Sequence, residues 1–144
     1  MHQKPVVNLE EPDLHGLRIL LVEDDCDLRE SLAILLEVCG ASVTAVGSSR
    51  AALDAFSQTV PDVLLSDLSM PEEDGFTLIR KIRALPANRG GRVPAAAVTA
   101  QASAEDRRRV LAAGFQAHVA KPVHVTELAA VVARLGGLIP PIRV

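Results

Sequence analysis

Five short apolar runs, separated by longer stretches of helical period, constrain this chain more than any other feature. They are "RILLV" (Arg18–Val22), "SVTAV" (Ser42–Val46), "DVLLS" (62–66), "AAAVT" (Ala95–Thr99) and "AHVA" (Ala117–Ala120). Each is too short for a typical helix. The first and third are also too uniformly apolar for a strand with one face in water, so they read as strands covered on both sides.

The intervening segments carry helix signals. Residues 25–39 place Leu28, Leu32, Leu35 and Leu36 on one face and close at Gly40, a favourable residue just past a helix end. Ser48 or Ser49 can cap a second helix carrying Ala52, Leu53 and Phe56, which must stop before Val60-Pro61. A third covers 75–85, with Phe76, Ile79 and Ile82 inward and Pro86 beyond its end. "SAEDRRRVLAAG" opens on Ser103, has Asp106 three positions later in the manner of a capping box, and finishes at Gly114. The last helix, 125–135, presents Leu128, Val131, Val132 and Leu135 before Gly136-Gly137. Five strand–helix repeats with short connections predict a doubly wound α/β domain whose parallel sheet is covered on both faces. The domain is expected over 17–135, with tails at 1–16 and 136–144.

Composition removes several function classes. A chain of 144 residues, 49% of them apolar, suits one domain. A formal charge of −3, with no Trp, no Tyr and three Phe, provides neither a polyanion-attracting field nor stacking platforms, so direct nucleic-acid binding is not expected. Cys26 and Cys39 lie far apart without a CxxC partner and suit a reduced protein. No apolar stretch approaches membrane-spanning length and the N-terminus has no apolar signal core; a soluble, cytoplasmic protein with no membrane partner is expected.

In open α/β sheets, ligands bind beyond the carboxyl ends of the strands. Glu23, Asp24 and Asp25 follow the first strand, Asp67 the third, Thr99 ends the fourth, and Lys121 follows the fifth. Clustered carboxylates repel one another unless a cation neutralises them, and a hard divalent ion with oxygen ligands, Mg²⁺ or Mn²⁺, is the natural occupant. A carboxylate beside such an ion, with a lysine and a threonine hydroxyl in reach, is a plausible nucleophile toward a phosphoryl group.

Four signatures in order, "LLVEDD", "LLSDLSMPEEDG", "VTA" and "AKP", resemble the receiver domain of two-component response regulators over about 17–135. "RALPANRGGRVPAAAVTA" and "HVAKPV" are similar to receivers at the C-terminal end of hybrid sensor histidine kinases; both a hybrid-kinase module and a single-domain regulator fit. The resemblance implies a flavodoxin-like sheet of order 2-1-3-4-5 with five helices. It implies that Asp67 is the phospho-acceptor, that Asp24 ligates the metal directly and Glu23 through water, and that Ser69 contributes its backbone carbonyl. Thr99 becomes the switch hydroxyl and Lys121, ahead of a cis Pro122, its cationic partner. Ser69 and Gln101 occupy positions that tune phosphoryl lifetime. The switch aromatic of the family falls on His118, a departure from the usual readout. Implied partners are a histidine kinase or phosphotransfer protein, and a downstream protein on the face of the fourth helix, fifth strand and fifth helix. The domain would phosphorylate and dephosphorylate itself rather than turn over a substrate.

Plainer readings stand beside these. Asp25 suits a helix cap better than a metal ligand, His118 a packing position better than a pH sensor, and Arg107-Arg108-Arg109 the solvated side of a helix. His2, His15 and His124 show no metal-ligand spacing. A Mg²⁺-dependent aspartyl phosphohydrolase would need a second acid where Ser69 stands. A flavin or nucleotide module would need a Gly-rich or hydroxyl-rich loop where "EDDCD" stands. A receiver-like domain that is never phosphorylated is the third alternative.

Overall fold

The computed structural model describes residues 13–100 and 103–138. Strands β1 (Arg18–Val22), β2 (Ser42–Val46), β3 (Val63–Asp67), β4 (Ala95–Thr99) and β5 (Ala117–Ala120) alternate with helices α1 (Cys26–Val38), α2 (Ser49–Gln58), α3 (Gly75–Arg83), α4 (Ala104–Ala113) and α5 (Val125–Leu135). All strand pairs are parallel and the order across the sheet is β2-β1-β3-β4-β5. The flavodoxin-like order expected from the sequence is the order found.

Successive strand side chains point to opposite faces, and here both faces are covered. Ile19, Leu21, Val63, Leu65, Ala96 and Val98 join Leu32 and Leu36 of α1 and Leu128 and Val132 of α5 in one core. Leu20, Val22, Leu64, Ala95 and Ala97 join Ala52 and Phe56 of α2, Leu78, Ile79 and Ile82 of α3, and Val110 of α4 in the other. Every residue of β3 and β4 is buried, which is why their sequences lack polar alternation; β2, at the edge, is half-exposed. A fully buried Leu, Ile or Val stabilises by about 1.5–3 kcal/mol. Helix propensities differ by only a few tenths per residue, so these two cores dictate where the helices lie.

The expected caps are present. Asp25 accepts from the Asp27 and Leu28 amides, Ser48 from Ala51, and Ser103 and Asp106 form both bonds of a capping box. Gly40, with φ of 107°, turns the chain just past α1. The Lys121–Pro122 peptide is cis.

Phe76, as expected, turns inward: it is half-buried on the α4 side of α3 and packs against the second core. Two expectations are corrected. Leu35 is 37% exposed, because the Leu28, Leu32, Leu36 stripe meets the sheet and Leu35 sits about 100° around the helix from Leu36. The packed unit also begins before residue 17: Leu14 is fully buried in the α1–α5 core and its amide donates to Cys39 O at 2.8 Å. Cys26 and Cys39 are not joined in a disulfide, and no described helix is long and apolar enough to cross a membrane.

Candidate functional site

The parallel register brings the acids together. Val22 of β1 lies opposite Ser66 of β3, so Glu23 and Asp67, one residue further along each strand, emerge side by side at the carboxyl edge. Glu23 is 1% exposed and Asp67 4%, whereas Asp24 faces solvent. One carboxylate oxygen from each of Glu23, Asp24 and Asp67 lies within 4.8 Å of the others. Lys121, delivered by the end of β5, places Nζ 3.0 Å from Glu23 Oε1 and 3.5 Å from Asp67 Oδ1.

Neighbouring groups hold these carboxylates in place. The Arg29 guanidinium donates to Glu23 O at 2.8 Å, and the Asp25 amide donates to Glu23 Oε2 at 3.1 Å. Asp25 itself caps α1, so it supports the acidic pair rather than joining it. The Ser69 amide donates to Asp67 Oδ1 at 3.2 Å, and Ser66 Oγ donates to Asp67 O at 2.9 Å. Gly75, the first residue of α3, donates its amide to Leu68 O at 3.1 Å. A Cβ there would collide with the Asp67 carbonyl oxygen and come within 3.0 Å of Leu68 Cα, so only glycine lets α3 seat this closely.

Burial, the adjacent Glu23 and then Asp24 push the Asp67 carboxyl up to about 7, against a partial offset from the Ser69 amide. Burial alone would lower the pKa of Lys121, but Glu23 and Asp67 outweigh it and the net shift is upward. Glu23 Oε1 is buried among the carboxylates, and the Lys121 ammonium meets it at ion-pair distance. Three clustered carboxylates against one ammonium form an oxygen-rich site short of positive charge. That donor set fits a hard divalent cation.

Thr99 is 1% exposed at the end of β4, where its carbonyl accepts from the Lys121 amide at 2.9 Å. His118 lies opposite Ala97 in the β4–β5 pairing, half-buried, on the sheet face covered by α4. There it helps Arg109 hold the Asp106 carboxyl low, an effect due first to the Ser103 hydrogen bonds. Ser69 is exposed at the rim, and Gln101 lies outside the described residues. Of the arginine run, Arg109 turns toward α3 rather than β5, with its guanidinium 5.2 Å from the Phe76 ring centroid. Sequence reasoning missed Arg29, Ser66 and Gly75 as supports. For Gly75 the signal was present, a glycine at the first helical position straight after a capping aspartate, where little else requires one.

Residues 19–133 match the family described as the response regulator receiver domain. The chain belongs to that family. It is 42% identical over 128 residues to an uncharacterized 14.6 kDa protein of Leptolyngbya boryana, covering 89% of this chain and 96% of that one. It is 34% identical over 132 residues to hybrid signal transduction histidine kinase D of Dictyostelium discoideum, covering 88% of this chain and 8% of the kinase. The solved receiver domain of a Pseudomonas aeruginosa sensor histidine kinase superposes with a TM-score of 0.77 at 35% identity, over 85% of this chain and 98% of that one. That structure carries a magnesium ion coordinated in its active site cleft. The chain thus matches nearly the whole of one relative and a small part of another.

Proposed function

We propose that this receiver accepts a phosphoryl group on Asp67 from a histidine kinase or histidine phosphotransfer protein and so switches a partner-binding face. The observation that carries this reading is the convergence of Lys121 on Asp67 and Glu23, at 3.5 and 3.0 Å, beside the exposed Asp24. Glu23, Asp24, Asp67 and the Ser69 carbonyl would hold Mg²⁺, or Mn²⁺ in its place. When bound, the ion supplies positive charge that favours ionised Asp67 and neutralises phosphoryl oxygens.

A carboxylate oxygen of Asp67 attacks phosphorus, its new P–O bond forms as the bond to the donor breaks, and the donor leaves with that electron pair. The product is an aspartyl acyl phosphate, and no electrons are transferred to an outside acceptor. Lys121 pairs with the transferred oxygens and Thr99 donates a hydrogen bond to one of them. Water later attacks phosphorus, the Asp67 O–P bond breaks, and inorganic phosphate and the free carboxylate are released, so the domain is a self-modifying acceptor rather than a turnover enzyme. Ser69 and Gln101 set the lifetime of the phosphoryl group. Thr99 and His118 relay its presence to the face formed by α4, β5 and α5, in a cytoplasmic phosphorelay.

The test is intact mass after incubation with Mg²⁺ and a small-molecule phosphodonor. Wild type gains one phosphoryl group, and Asp67→Asn gains none. No adduct on wild type, or an undiminished adduct on Asp67→Asn, refutes the proposal.

A further inference from the structure

Eight of the fifteen lysines and arginines lie in residues 75–114, against two acids, Glu105 and Asp106. A chain of net charge −3 therefore carries a local surplus of six positive charges. The segment runs from α3 through β4 to α4; six of the eight cations, Arg80, Lys81 and Arg83 on α3 and Arg107, Arg108 and Arg109 on α4, lie on these two helices, which pack against each other. An open groove of about 350 Å³ runs there, lined by Phe76, Arg80, Arg109, Ala112 and Ala113.

The arginines of this region divide into two kinds. Arg83 is structural: its guanidinium donates to Gly114 O at 2.9 Å, Gly91 O at 3.0 Å and Gln116 Oε1 at 3.1 Å. Arg80 and Arg109 have no carboxylate at salt-bridge distance among the described residues. Asp106, on the same helix as Arg109, is engaged by Ser103 in the α4 cap. Arg109 instead lies over the Phe76 ring, which keeps its planar fork at the groove. Guanidinium groups pair with carboxylates through two parallel hydrogen bonds, and two of them beside a small apolar floor form a receptor for acids flanking an apolar side chain.

We infer that the α3–α4 groove docks an acidic segment of a partner protein, with Arg80 and Arg109 receiving carboxylates and Phe76, Ala112 and Ala113 receiving an apolar side chain. A nucleic acid suits the groove less well. The rest of the chain carries a large negative excess that repels an extended polyanion. A short acidic segment feels mainly the local field, because charges further away than about 8 Å are screened at physiological salt. The groove lies on the α3 side of α4, away from the face formed by α4, β5 and α5, and its charge does not depend on the chemistry of Asp67.

The probe is a fluorescein-labelled peptide of repeated Glu-Glu-Leu, read by anisotropy against the full chain. A Gln-for-Glu peptide and an oligothymidylate serve as comparisons. The acidic peptide is expected to bind and the Gln version not. Arg80→Glu with Arg109→Glu should weaken binding about tenfold or more. Arg50→Glu, exposed on α2, should leave it unchanged. The milder pair Arg80→Gln with Arg109→Gln, checked by its circular dichroism melt, separates lost docking from lost folding. Phe76→Ala should weaken binding while leaving its salt dependence intact. The inference is overturned if wild type does not bind, if the double variants bind equally well, or if Arg50→Glu loses as much. Tighter, groove-dependent binding of the oligothymidylate overturns it in favour of a nucleic-acid ligand.

Discussion

The Lys121 ammonium stands 3.0 Å from Glu23 Oε1, an oxygen buried among the carboxylates. It is the cation that compensates the deepest acid of the site. Removing one member of a buried ion pair costs about 3–5 kcal/mol, but Lys121 is partly open to water, so Lys121→Met should cost about 1–3 kcal/mol. Because the chain has no Trp, the measurement is urea denaturation followed by circular dichroism. In a Glu23→Gln background the same substitution should cost much less, and equal costs in both backgrounds would show that the pair is not coupled.

The carboxyl of Asp67 predicts the direction of the pH dependence. Its folded-state pKa is raised from 3.8 to about 7, first by burial and then by Glu23. Between those values the native state keeps a proton that the unfolded chain has released, so stability falls as pH rises through the window and levels off above it. Without divalent cations, the urea midpoint of wild type should therefore decline from about pH 5 to about pH 8. Asp67→Asn should flatten that slope and be the more stable protein at the upper end. A wild-type midpoint that rises over this range contradicts the assignment.

Gly75→Ala tests how closely α3 must approach β3. The added methyl meets the Asp67 carbonyl oxygen and Leu68 Cα, both backbone atoms that cannot swing aside. The strain should cost about 1–3 kcal/mol. It should also lower the rate of phosphoryl acceptance in the mass assay, since the displaced backbone carries Asp67. A variant of wild-type stability and rate would mean that the junction is slack.

The central strands were legible because they are buried on both faces, which leaves an uninterrupted apolar run in β1 and β3 that no helix surface would produce. The acids, Thr99 and Lys121 were legible because a parallel sheet delivers the residues after its strands to one edge. What the sequence concealed depends on side-chain direction. Leu35 fits the helical period but lies at the margin of its stripe, and the difference between margin and core is set by neighbouring elements. Arg109 reads as one of three equivalent arginines until α3 brings Phe76 beneath it. Leu14 reads as tail because a single leucine among polar residues has no period, and its burial depends on the cleft between the end of α1 and the sheet.

A divalent cation should relieve the same repulsion that Lys121 relieves only in part. If Glu23, Asp24 and Asp67 take up Mg²⁺, a concentration of about 100 times the dissociation constant should stabilise the fold by about 2.7 kcal/mol. The pH slope of the metal-free protein should shrink, because the ion favours the ionised form of Asp67 that burial and Glu23 oppose. Asp24 carries the sharpest version of this test, since it is exposed and belongs to the acidic cluster without supporting the core. Asp24→Asn should leave the metal-free denaturation midpoint nearly unchanged and remove most of the Mg²⁺-dependent rise. Lys121→Met, by contrast, should keep that rise or enlarge it, because ammonium and metal compete for the same oxygens. Equal Mg²⁺ stabilisation of wild type and Asp24→Asn would exclude this cluster as the metal site.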